Sequence, residues 1–185
     1  MSSTPIAENT PLFPVTWLRA FKPVRMQVNG RERLRVTIGA FLGILLTAVV
    51  CHAMGLGLKA AWIVAPMGAS AVLIFGVPNS PLAQPWAVVA GNTISAVVGV
   101  ACARWVGSVD MAAALAVGVA IGAMFALRCL HPPGGASALL MVMGGFNDFH
   151  VALAPVLLNS VLMVVAGLAW NNATGRRYPH GQGPR

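Results

Sequence analysis

Long apolar runs broken by short interruptions set the pattern of this chain. Apolar residues follow one another from Leu34 to about Leu56, from Trp86 to about Val106, from about Met111 to Leu127, and from Val151 to about Trp170. A helix needs about 20 residues to cross a hydrocarbon core of about 30 Å, so each run is a candidate span. Two shorter apolar segments lie between them. Ala60 to Val77 is interrupted by Pro66 and Gly68 and leads into an uncharged loop, Pro78 to Pro85, holding three prolines. Ala136 to Met143 follows Arg128-Cys129-Leu130-His131-Pro132-Pro133-Gly134-Gly135, where the double proline forbids one continuous helix.

The pattern predicts an all-α, polytopic transmembrane bundle over residues 34–172, with either four full spans plus two half-helices or six spans. The order long, short and broken, long occurs twice, which divides the domain into repeat one, about 34–106, and repeat two, about 111–170. The halves match without a gap at a shift of 67. Pro66-Met67-Gly68-Ala69-Ser70-Ala71-Val72-Leu73 falls on Pro133-Gly134-Gly135-Ala136-Ser137-Ala138-Leu139-Leu140, Asn92-Thr93 on Asn159-Ser160, and Val97-Val98 on Val164-Val165. Gly39-x-x-x-Gly43 resembles Gly118-x-x-x-Gly122 at a different offset, and such spacing marks close-packing positions. If all six elements cross, each half has odd parity and the halves are inverted. If the short pieces return to the side they came from, the halves are parallel.

Composition agrees with lipid as the solvent. The chain is 57% hydrophobic and 9% charged, against about 45–50% and about 25% in soluble domains. Its 12 Lys+Arg outnumber 4 Asp+Glu, but nine of the 12 sit at the ends. Arg19, Lys22, Arg25, Arg31, Arg33 and Arg35 precede or open the first run, and Arg176, Arg177 and Arg185 follow the last. This is topogenic charge and places both termini in the cytoplasm, in the inner membrane for a bacterial protein. It leaves no basic, aromatic-bearing surface for nucleic acid. Residues 1–33, with Phe13, Trp17, Leu18 and Phe21, read as an interfacial arm, and 173–185 as a polar tail. The basic segment is long and contains Glu32, so the first helix is expected to stay as an anchor. Cys51, Cys102 and Cys129 lie apart in or beside apolar runs and read as buried small hydrophobes.

The chemistry gathers at the broken elements. A Pro-x-Gly-Ala-Ser helix start within lipid leaves backbone amides without partners, and the positive end of the helix dipole favours an anion there. Short Pro/Gly-interrupted segments at matching positions of two halves point to a transport site. Candidate binding residues are therefore Pro66, Gly68, Ser70, His131, Pro132, Pro133, Gly134, Gly135 and Ser137, with Asn92 and Asn159 as polar groups inside the spans. Each has a structural alternative: the histidine as a cap, the serines bonding their own backbone, the asparagines as interhelical ties. Arg104 and Arg128 sit near helix ends and can snorkel. No paired carboxylates, Ser/His/Asp arrangement, metal spacing or phosphate loop stands in the sequence, so neither an enzyme nor a cofactor is expected.

The run His131-Pro132-Pro133-Gly134-Gly135-Ala136-Ser137-Ala138 resembles the signature of the HPP family of integral membrane proteins. Ala65-Pro66-x-Gly68-Ala69-Ser70 and Pro85-Trp86 with Gly91-Asn92 are similar to that family's other recurring stretches. The resemblance covers roughly residues 30–172. It implies a multi-pass protein and, from members described as nitrite transporters, a channel or secondary transporter for nitrite or a related small inorganic anion. Other members carry regulatory CBS domains, which supports the alternative of a membrane sensor or partner subunit without solute flux. Small-xxx-small faces permit a homo-oligomer and equally permit tight internal packing.

Overall fold

The computed structural model describes residue 21 and residues 28–54 and 65–181. Expectations for most of the N-terminal arm, the end of the first run, the start of the short segment from Ala60 and the last four residues lie outside the described residues. Within them the chain is all-helical, in the expected order. Helix α1 spans Gly30–Ala53, and α2 spans Ala65–Ala71 and continues as a π-helical turn, Val72–Gly76. A 3₁₀ turn, Pro81–Ala83, leads to α3, Pro85–Trp105. Helices α4 (Val109–Ala126), α5 (Pro132–Met143) and α6 (Phe149–Ala173) complete the bundle. Among the described residues four helices, α1, α3, α4 and α6, are long and apolar enough to cross a membrane.

Caps move several boundaries away from those the apolar runs predict. Helix α1 begins at Gly30 rather than Leu34, because the Asn29 side chain accepts a hydrogen bond from the Glu32 amide at 2.8 Å. Helix α5 begins at Pro132, four residues before the expected Ala136, with Pro132 and Pro133 in its first two positions. Proline is welcome there, since the first turn has no intrahelical use for its amides. Pro66 and Gly68 do not interrupt α2; they lie in the first turn of its described part.

Contacts at the helix ends fix the direction of each element. Arg35 near the start of α1 donates to the Phe75 carbonyl at the end of α2 and to Asn171 Oδ1 at the end of α6, both at 2.8 Å. Trp86 at the start of α3 donates to the Leu127 carbonyl after α4 at 3.2 Å. The Tyr178 hydroxyl beyond α6 donates to the Ala83 carbonyl before α3 at 2.9 Å. At the other end of the bundle, Trp105 of α3 meets Phe149 of α6, ring centroids 6.4 Å apart. The six helices therefore alternate in direction, and α1 begins at the end of the bundle where α6 finishes.

Buried apolar clusters fill the spaces between these elements. Met67, Ile74 and Phe75 of α2 pack with Val88 of α3 and Met163 of α6. Ala112, Ala116 and Ala120 of α4 pack with Cys102 of α3 and Ala138 of α5. The polar tail is also drawn in, for Tyr178 is buried and Asn172 accepts from its amide at 3.2 Å. All three cysteines are free and buried, in keeping with their reading as small hydrophobes.

Glycines mark two of the closest approaches. A Cβ on Gly39 would lie 2.5 Å from the Trp170 ring, and one on Gly43 would lie 2.9 Å from Phe75. Gly118 and Gly122 differ from their expected role, since a Cβ on either would meet nothing within 4 Å. Their face of α4 points away from the bundle.

Candidate functional site

The two broken elements bring their serines to one asparagine. Ser70 lies one turn into α2, Ser137 one turn into α5, and Asn92 two turns into α3. All three are fully buried, as is His131, which precedes α5 in an extended conformation. The Ser137 hydroxyl donates to Asn92 Oδ1 at 3.1 Å, and Asn92 Nδ2 donates to Ser70 Oγ at 3.4 Å. Ser70 Oγ lies 2.8 Å from His131 Nε2, and His131 Nδ1 lies 2.7 Å from the Leu82 carbonyl oxygen.

That carbonyl can only accept, so Nδ1 carries the ring proton of the neutral imidazole and Nε2 accepts from Ser70. Every donor then points the same way, from Ser137 through Asn92 and Ser70 to His131 and Leu82. The serines also approach the carbonyls of Pro66 and Pro133, four residues back, at 3.4 and 3.3 Å. The one hydroxyl proton of each serine is therefore engaged within the protein, that of Ser70 by His131 and that of Ser137 by Asn92.

The other candidate residues separate into packing and open positions. A Cβ on Gly134 would meet Ser95 Oγ at 2.7 Å and the Gly91 carbonyl at 2.9 Å, so glycine allows α5 to approach α3. Gly68 and Gly135 face open space, and Pro132 is exposed. The expected cradle of free amides is absent at α5. Pro132 and Pro133 have no N–H, and the Gly134 amide donates to the His131 carbonyl at 2.8 Å. Donors for a ligand there must come from side chains.

Asn159 does not join the serines. Its Oδ1 lies 2.7 Å from the Cys51 sulfur, while its Nδ2 has no hydrogen-bond partner. Thr93 Oγ1, Ser95 Oγ and Ser160 Oγ are also buried and unpartnered. In sequence these three hydroxyls carry no site signal beyond the repeat, which sets Thr93 in register with Ser160. Leu82 and Cys51 carried no signal of their roles in sequence. Among the described residues no group of three or more His, Cys, Asp or Glu side chains can hold a metal ion.

Comparison with known proteins agrees with a membrane-spanning helical chain. The family pattern described as "HPP, transmembrane region" matches residues 25–179. A transmembrane protein of Dictyostelium discoideum is 38% identical over 172 residues, covering 88% of this chain and 60% of its own length. Another transmembrane protein of the same organism is 39% identical over 150 residues, covering 77% of this chain and 48% of its own length. The chain therefore spans only about half to three fifths of these relatives. No solved structure matches it.

Proposed function

The chain belongs to the HPP transmembrane family, and from that premise we propose that it is a channel or secondary transporter for a small inorganic anion, with nitrite the first choice. The observation that carries this reading is the buried chain of Ser137, Asn92, Ser70 and His131 where the two half-length helices meet. Polar groups deep in a membrane bundle are costly and mark solute pathways. Here they stand beside further polar atoms that have no protein partner.

The alternation of helix directions supports an inverted arrangement of the two halves. So does the set of neighbours: α3 packs on α4 and α5, as α6 packs on α1 and α2, while α2 meets α5 and α3 meets α6. Exchanging the halves returns the same set. Such architecture places the solute between repeats and moves one against the other. The exposed Arg31, Arg33, Arg176 and Arg177 share one end of the bundle, which under the positive-inside rule is the cytoplasmic end. An amide does not hand on protons, so Asn92 breaks the polar chain as a proton path, and the reading favours uniport.

Nitrite uptake into liposomes holding the purified protein tests this, with nitrate, formate and chloride as competitors and with membrane potential and pH varied separately. Nitrite-selective flux that follows the potential is the expected result. No flux of any anion from folded protein rejects it in favour of a sensor or partner subunit.

A further inference from the structure

Two repeat-equivalent pairs stand at one level of the bundle, one on α3 and one on α6. At the shift of 67, Asn92-Thr93 corresponds to Asn159-Ser160. Val156 of α6 packs with Ala96 and Val100 of α3, whereas Met163 and Val164 pack with Val88. Helices α3 and α6 thus run antiparallel, and the level midway between those contacts is that of the two pairs.

The pairs are in different states. Asn92 has both ends of its amide engaged, by Ser137 and Ser70. Asn159 and Ser160 are fully buried, yet Asn159 Nδ2 and Ser160 Oγ have no hydrogen-bond partner, and neither has Thr93 Oγ1 on α3. An unpaired donor in a dry interior forfeits its hydration without return. Three such groups at one level call for a ligand that supplies acceptors.

Building on the transport reading above, we infer that Asn159 and Ser160, with Thr93, form a binding site at the crossing of α3 and α6 for a small, singly charged oxyanion that has shed its water. The donors are all neutral. Among the described residues Arg35 is the only buried charged side chain, and it is engaged by Glu32, Asn171 and the Phe75 carbonyl at the end of the bundle. The cost of removing an ion from water rises with the square of its charge, roughly fourfold for a dianion. Neutral donors therefore hold nitrite or nitrate and reject sulfate or hydrogen phosphate dianion.

The test uses the full chain in liposomes and detergent, with Ser160→Ala and Thr93→Val as variants that remove a hydroxyl at little change in volume. Loss of one hydrogen bond to a charged ligand predicts about a tenfold rise in apparent KM for nitrite in Ser160→Ala. Ser160→Thr should restore most of it. Sodium nitrite should raise the thermal midpoint of the unaltered protein where sodium sulfate does not, and Ser160→Ala should lose that shift. If the unaltered protein transports nitrite while Ser160→Ala and Thr93→Val keep its KM and its nitrite-dependent shift, this site is wrong and the transport reading stands. If the unaltered protein neither transports nor is stabilised by any singly charged anion, both fall.

Discussion

His131 illustrates how one side chain settles several others. Its ring closes a gap between the loop at Leu82 and the start of α2 at Ser70, and it does so fully buried. Replacing it by leucine leaves the Leu82 carbonyl without its donor, at an expected cost of about 1–3 kcal/mol in thermal unfolding of the detergent-solubilised protein. Ser70→Ala strands both His131 Nε2 and Asn92 Nδ2, whereas Ser137→Ala strands only Asn92 Oδ1. Ser70→Ala is therefore the more destabilising of the two. The double variant should also weaken nitrite uptake while folded protein remains in the membrane, and unaltered uptake would contradict the proposed function. Arg128 offers a prediction of opposite sign. It ends α4 with φ of 53°, while the next amide, of Cys129, reaches back to the Met124 carbonyl at 2.9 Å. Glycine is the usual occupant of such a left-handed cap, so Arg128→Gly should stabilise by up to about 1 kcal/mol in the same assay.

At the scale of elements, glycine substitutions separate a packed helix face from an open one. A Cβ on Gly99 would lie 2.5 Å from the Ala138 carbonyl oxygen, a backbone atom that cannot swing away. Gly99→Ala should force α3 and α5 apart and cost about 1–3 kcal/mol. Gly118→Ala meets nothing and should stabilise α4 by up to about 1 kcal/mol through helix propensity alone. Thermal unfolding of both variants, compared side by side, checks the pair. The identities of these elements were legible in the sequence because hydropathy and length suffice to find spans. Their ends were less so, because Asn29 at α1 and Pro132-Pro133 at α5 extend helices into segments that look polar or broken. The buried cluster at the centre of the candidate site was legible through repetition, which flagged Ser70, Ser137 and Asn92, and through the His-Pro-Pro turn. Leu82, Cys51 and Arg35 were not, since their roles depend on partners 49, 108 and 136 residues away.

For the whole molecule, the shared end of α1 and α6 makes orientation testable without knowing the solute. Single cysteines placed at Arg31 and at Arg177, in a background lacking the three native ones, should react with an impermeant thiol reagent from the same side of sealed vesicles, and opposite sides would overturn the parity of the bundle. Arg35 joins that end together. It donates to both Glu32 oxygens, at 3.0 and 2.8 Å, while Arg176 from beyond α6 meets Glu32 at 3.0 Å. Leucine in place of Arg35 would leave Glu32 part-buried and two capped acceptors bare, and the loss should exceed that of any exposed arginine. The same arginine has a consequence for biogenesis. A nascent chain emerges N-terminus first, so α1 enters the bilayer when, of this cation's described partners, only Glu32 on its own helix is present. Its remaining partners arrive with the end of α2 and, last of all, with α6. Until the ribosome has finished α6, the first helix is an unfinished one, and chains truncated before Asn171 should stay with the insertion machinery or be degraded.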